Sequence, residues 1–211
     1  ILFNKLLLEH NKEDLRSDGA YKLKNFVGKF PDTEIDFDPM EYIKKVHSEK
    51  HIKNFKNECD TYGIMAEINL SPISFDCAVF SVGLAIKAAE TNNFAVTRPA
   101  GHHARRDFGA GFCFFNTPAI TAMKLIEDGH KVAILDIDGH RGDGTQEILK
   151  DEKEALCVSL HQKGAYGGDG EPFSDTNAIN FTLPRGTEEK EYLEAVEKAV
   201  AHIIDFEPTI V

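Results

Sequence analysis

The sequence predicts an α/β fold built on a mainly parallel sheet. Three observations point there. "KVAILDID" (131–138) is a continuous apolar run, as expected of a strand covered on both faces. "EALCVSLH" (154–161) and "NAINFTL" (177–183) read as further strands. Helical patterns alternate with these runs at the spacing of strand–helix–strand units.

In chain order, residues 1–70 are mixed and polar, with one helix expected over "DPMEYIKKVHSEKHIKNFKNE" (38–58). "SPISFDCAVFSVGLAIKAAE" (71–90) opens on a serine cap and a proline and is apolar on nearly every side, which predicts a buried helix. "NNFAVTRPAG" (92–101) reads as a short buried strand and a loop. "NTPAITAMKLIEDGH" (116–130) is a helix capped by Asn116 or Thr117 and stopped at Gly129. "TEEKEYLEAVEKAVAHIIDF" (187–206) is an amphipathic helix with Thr187 as N-cap and Glu188 and Glu189 in its first turn. "PTIV" (208–211) begins another strand. No repeat or low-complexity linker interrupts the pattern, so a single domain over residues 1–211 is expected. Both ends read as cut, because the chain opens at Ile1 and closes on an apolar run barely begun.

The formal net charge is −11, with no Lys/Arg-rich run, which argues against a nucleic-acid-binding surface. Acidity suits cationic substrates, although it more often serves solubility. The four cysteines, Cys59, Cys77, Cys113 and Cys157, lie far apart without a CxxC pair. That argues against a disulfide framework or zinc ribbon and fits a reducing cytoplasm. No signal peptide is evident, and no apolar run reaches the roughly 18 residues that span a membrane. A cytoplasmic protein without a membrane partner is the expectation.

Three motif groups, "TRPAGHHA", "DIDGHRGDG" and "SLHQ", fall at carboxyl ends of predicted strands, where parallel sheets bind ligands. Asp136, Asp138 and His140 form a D-x-D-x-H pattern, which a strand would aim to one face. Two carboxylates and an imidazole together on an apolar strand favour a cation. Aspartate oxygen with histidine nitrogen suits zinc, or ferrous iron under other metal supply. Two alternatives stay open. The cluster could be a solvated strand end with a helix cap. "LDIDG" also matches the D-x-D-G signature of haloacid-dehalogenase-like phosphohydrolases, although His140 stands at their usual Thr position. In "RPAGHHARRDFGAGFCFFN" the pair His102–His103 precedes a Gly/Phe stretch suited to a narrow apolar channel. Phe112 is the expected channel residue, and Phe114 or Phe115 is expected in the core. A histidine base needs an orienting carboxylate. Asp136 and Asp143 are the natural partners of His102 and His103. A metal-activated water, deprotonated by one histidine, would attack a polarised carbonyl.

In this order and spacing "RPAGHHA", "GFCFFN", "DIDGHRGDGTQE" and "SLHQ" resemble the histone deacetylase superfamily, including acetylpolyamine amidohydrolases and acetoin-utilisation-type proteins. "YIKKVHSEKHI" and "INFTLPRGTEEKEY" also fit, so the resemblance covers nearly the whole chain. It implies an arginase/deacetylase-like three-layer fold, with its C-terminal part missing here. It implies zinc on Asp138 and His140, His103 as general base paired with Asp143, and His102 paired with Asp136 to hold the oxyanion. Gly111 and Phe112 match a backbone contact and one wall of the acyl-lysine tunnel, and Tyr166 matches the opposite wall. Asp136, Asp138, His140, Ser159 and Leu160 match a structural potassium site. The implied substrate is an acetylated amine, acetyl-lysine or acetylpolyamine.

Three departures stand out. Arg141 replaces a second histidine beside the ligands, which implies tuning rather than loss. Ala100 replaces a common proline. The family's remaining zinc aspartate and its oxyanion tyrosine are expected beyond Val211. The alternative function is a non-catalytic deacetylase-like protein that binds acylated ligands.

Overall fold

The structure is a computed structural model that describes residues 1–12, 19–170 and 177–211. The chain forms two compact units, residues 1–121 and 122–211.

The first unit is helical. Two short 3-10 turns, Lys5–Leu8 and Ala20–Phe26, precede helices α1 (Met40–Val46) and α2 (Glu49–Asp60). The single helix expected over 38–58 is therefore two. His47 adopts an extended backbone (φ −98°, ψ 146°), and Ser48 starts α2 afresh by accepting the His51 N–H on its hydroxyl at 3.3 Å. A good N-cap in mid-pattern competes with helix continuation. A two-stranded hairpin follows, β1 (Ile64–Met65) and β2 (Ile68–Asn69), with Ala66 and Glu67 both left-handed at its turn.

Helix α3 (Pro72–Glu90) begins as expected at Ser71 with proline in the first turn, and the Ser71 N–H donates to Ser74 Oγ at 3.2 Å. One expectation needs correcting here. By length and composition α3 could cross a membrane, because one helix can be apolar throughout without an unbroken apolar run. Cys77 and Leu84 on this helix instead join Phe3, Leu7, Leu23 and Val96 in the core of the unit. The strand expected over 92–101 shrinks to two isolated parallel bridges, Leu2 to Ala95 and Ala100 to Cys113. Leu2 bonds there to Phe94 and Val96 at 2.8 and 2.9 Å, and the chain then turns into the histidine loop.

Helix α4 (Thr117–Glu127) leads into the second unit. Asn116 is its cap, accepting the Ala119 N–H at 3.0 Å, and Gly129 at φ +90° ends it. The sheet of this unit consists of β3 (Val132–Asp136), β4 (Ala155–Gln162) and β5 (Ala178–Leu183), parallel and in the order β3-β4-β5. The expected strand at 208–211 has begun, because Ile210 bridges Val132 in parallel. Strand alternation gives β4 two distinct faces. Leu156, Val158 and Leu160 pack with Ala195, Ala199 and Ile203 of α6 (Glu189–Phe206). Cys157, Ser159 and His161 occupy the other face, the side of α5 (Asp143–Leu149). The N-cap of α6 is Glu188 rather than Thr187. The Thr187 hydroxyl turns back to donate to the Pro184 carbonyl at 2.7 Å, a local bond that competes with capping.

Candidate functional site

Strand β3 ends at Asp136, so Asp138 and His140 lie in the bends beyond it. This corrects the expectation that strand alternation aligns all three. Two successive aspartate turns do the work instead. Asp136 Oδ1 accepts the Asp138 N–H at 3.1 Å, and Asp138 Oδ1 accepts the His140 N–H at 2.8 Å. Such side-chain turns reverse the chain in place of backbone pairing. The Gln162 N–H holds the Gly139 carbonyl at 3.0 Å, which ties the bends to the end of β4.

The result brings Asp138 Oδ1 and His140 Nδ1 to 3.0 Å. Two donors on one four-coordinate zinc, each about 2.0–2.1 Å from it, stand about 3.3 Å apart. The pair thus fits zinc in both donor chemistry and spacing, and each side chain is 51% exposed. Among the described residues no three of His, Cys, Asp and Glu gather into a metal cluster, so Asp136 does not complete this pair.

Of the residues the resemblance assigns to potassium, Asp136 and Ser159 lie side by side. Asp136 pairs with Ser159 in the parallel register, and both line a small cavity with Thr145 and Gln146. His161 Nε2 donates to the Asp169 carbonyl at 3.0 Å, so its Nδ1 is left to accept the Ser159 hydroxyl at 2.9 Å. The Ser159 lone pairs then face the acceptor role a cation requires. Burial lowers the His161 pKa, which suits this neutral ring. Leu160 is buried on the opposite face, against α6.

His161 also anchors the loop that carries Tyr166. Asp169, whose carbonyl His161 holds, accepts the Gly164 N–H on its carboxylate at 2.6 Å. Gly167, at φ +87°, lies where an added Cβ would meet the Arg141 carbonyl oxygen at 2.7 Å. The Tyr166 ring consequently stands edge-on to His140, with centroids 6.4 Å apart. Arg141 runs against Gly170 and Asn180, with its Nε buried and without a hydrogen-bond partner. Asp143 is buried in the first turn of α5, where a carboxylate suits the helix dipole.

In the first unit the rings of His102 and His103 stand 4.0 Å apart, tilted by 44°. His103 is 3% exposed. Gly111 and Phe112 are both left-handed (φ +51° and +67°), a strained conformation for phenylalanine. It is held by the Phe112 N–H donating to the Ala66 carbonyl of the hairpin turn at 3.1 Å. Phe112 is half-buried, whereas Phe114 and Phe115 are core residues. Phe114 stacks on Phe55 at 4.5 Å. The core placement of Phe114 and Phe115 is therefore as expected.

Sequence reasoning missed the residues behind the histidine loop. His47 Nδ1 donates to the Arg105 carbonyl at 2.9 Å, and its Nε2 accepts the Asn116 N–H at 2.8 Å. His51 Nε2 bonds the Phe114 carbonyl at 2.7 Å. Burial pushes the His47 pKa down to about 4, with the neighbouring His51 adding to the effect, and burial also lowers that of His51. The available signal was "VHSEKH", a serine cap inside a helical pattern flanked by two histidines. All four cysteines are free and buried. Burial raises the Cys59, Cys77 and Cys157 thiols to about 12, so none is a nucleophile.

The histone deacetylase domain family matches residues 13–211. A probable deacetylase of Archaeoglobus fulgidus is 32% identical over 97% of this chain and 60% of its own length. The acetylpolyamine amidohydrolase of Mycoplana ramosa is 32% identical over 67% of this chain and 46% of its own. The chain thus spans about half to three-fifths of these relatives. The solved HDA15 HD domain superposes with a TM-score of 0.83 at 25% identity, covering 98% of this chain and 68% of that one. An acetylpolyamine aminohydrolase structure from Burkholderia pseudomallei shares the fold, with a TM-score of 0.81 at 24% identity over 98% of this chain and 78% of that one. The α/β fold with a parallel sheet is the one expected. The match runs through "LDIDG" and displaces the phosphohydrolase reading of that stretch. Over nearly its whole length, the chain belongs to the histone deacetylase family.

Proposed function

We propose that the full-length protein carrying this chain is a metal-dependent amidohydrolase that releases an acyl group from a primary amine, acetyl-lysine or an acetylpolyamine. The observation that carries this reading is the pair Asp138 and His140, with donors 3.0 Å apart at the end of β3, in a chain related to deacetylases and acetylpolyamine amidohydrolases. Zinc, with ferrous iron as the alternative, supplies Lewis acidity toward the carbonyl and lowers the pKa of water.

His103, withdrawn from bulk water, takes the proton of the attacking water. His102 donates to the carbonyl oxygen as charge develops there. Asp143 and Asp136 serve as orienting carboxylates for these imidazoles. Phe112 and Tyr166 flank the acyl chain, and Gly111 offers a backbone contact. Asp136, Asp138, His140, Ser159 and Leu160 are assigned to potassium, with the Ser159 lone pairs as the supporting feature. A net charge of −11 suits a cationic acylated amine, and a cytoplasmic setting without nucleic acid or membrane is part of the same reading.

Arg141, standing where the resemblance implies a second histidine, and the lack of a third ligand beside Asp138 and His140 among the described residues motivate a second reading, a non-catalytic protein that binds acylated ligands. The deciding experiment offers N-acetylputrescine and an acetyl-lysine peptide to the zinc-loaded full-length protein. Release of acetate from either is expected. A folded, zinc-loaded protein that hydrolyses neither would favour the binding reading.

A further inference from the structure

The break between α1 and α2 has a purpose visible in its hydrogen bonds. Ending α1 at Val46 frees the Ser48 N–H, which donates to the Arg106 carbonyl at 3.0 Å. Arg106 in turn donates from Nη1 to the Val46 carbonyl at 3.2 Å. His47 and His51 reach the Arg105 and Phe114 carbonyls and the Asn116 N–H. Residues 46–51 thus grip both arms of the loop that carries the histidine pair and Phe112. No carboxylate is needed, because each bond uses a neutral ring or a backbone group.

One chain of contacts leads directly to His103. The backbone N–H of Asn116 can only donate, so His47 Nε2 is an acceptor and its proton sits on Nδ1, facing the Arg105 carbonyl. Asn116 then spends its side chain on the loop. Nδ2 donates to the Ala104 carbonyl at 2.8 Å and reaches the His102 carbonyl at 3.5 Å, while Oδ1 caps α4. These two carbonyls belong to the residues on either side of His103.

We propose that His47 is a positioning residue for His103: its Nε2 fixes Asn116, and the Asn116 amide fixes the two peptide groups between which His103 is carried. This rests on the reading of His103 as general base, yet the positioning itself is a property of the loop. The His47 ring is 1% exposed and packed against His51 and Phe115.

The test uses two variants of the full-length protein. Gln at 47 places an amide oxygen where Nε2 stands and keeps the Asn116 bond. Asn at 47 places its amide where Nδ1 stands and loses that bond. In His47→Asn, amide exchange at residues 102–105 should rise about tenfold or more, and kcat on N-acetylputrescine or an acetyl-lysine peptide should fall about tenfold with KM nearly unchanged. His47→Gln should stay within about threefold of wild type on both readouts. A merely structural role would damage both variants alike, and equal effects, or none, overturn the proposal. Amide exchange needs no turnover, so a wild-type protein without activity removes the hydrolase reading alone. Should His47→Asn not fold, Asn116→Asp keeps the α4 cap and removes the Nδ2 donor. It should reproduce the exchange increase at 102–105, and unchanged exchange there overturns the proposal.

Discussion

Replacing His47 with Gln should flatten the dependence of stability on pH. His47 is held at a pKa of about 4 in the folded chain, against about 6.5 when unfolded. Between these values the unfolded state binds more protons, so stability rises with pH and is lost as pH falls from about 6.5 to about 4. The difference of about 2.5 units corresponds to about 3.4 kcal/mol when complete, and roughly 2–3 kcal/mol by pH 4.5. The cause is specific. A proton on Nε2 would confront the Asn116 N–H at 2.8 Å, which costs a hydrogen bond as well as burying a charge. Urea unfolding of wild type and His47→Gln at pH 7.5 and 4.5 measures the effect. His161, also lowered by burial, contributes the same sign to both proteins and cancels in the comparison, whereas the coupling of His51 to His47 is lost in the variant and belongs to the measured difference. Wild type should lose roughly 2–3 kcal/mol more than the variant over this interval. Equal losses would refute the assignment of a locked neutral His47.

Four further outcomes follow from particular contacts. Asp138→Ala should lose bound metal, whereas Asp143→Asn should retain it and slow turnover through His103; metal analysis beside kinetics separates them, and equal metal loss contradicts the assignment. Ala66→Gly should stabilise the protein by roughly 0.5–1 kcal/mol in urea unfolding, because Ala66 is left-handed at φ +49°; a loss of stability would contradict this. Gly167→Ala should raise the KM for acetylated amines, since its Cβ would collide with the Arg141 carbonyl and displace the Tyr166 loop; an unchanged KM would separate Tyr166 from the substrate. Thiol labelling of the native protein should leave Cys59, Cys77 and Cys157 unreacted until unfolding, given thiols near 12, and rapid native labelling of any of them would contradict their burial.

Much of this was legible in the sequence because period and punctuation act locally. The apolar run at 132–136, the proline after Ser71 and the glycine at 129 each mark their element without help from the rest of the chain. The burial contrast among these aromatics was legible for the same reason, since the half-buried Phe112 follows a glycine and the buried Phe114 does not. Other features depend on partners distant in sequence. Residues 92–101 keep only isolated bridges because their neighbours, Leu2 and Cys113, lie outside the run. The helix break at His47 answers to the loop at 105–116, about sixty residues on. Asp138 and His140 come together by a local geometry other than the one expected: aspartate turns rather than strand alternation bring their donors together. The role of His161 was invisible, because it depends on a carbonyl of the following loop, at Asp169.

The central claim is that the end of β3 presents a metal used to hydrolyse acylated amines. The most direct measurement is turnover of N-acetylputrescine and an acetyl-lysine peptide by the full-length protein as a function of bound zinc. Turnover on one of them should rise in proportion to zinc up to one equivalent. Activity that persists undiminished in the metal-free protein, or one equivalent of zinc bound without any turnover, would contradict the account.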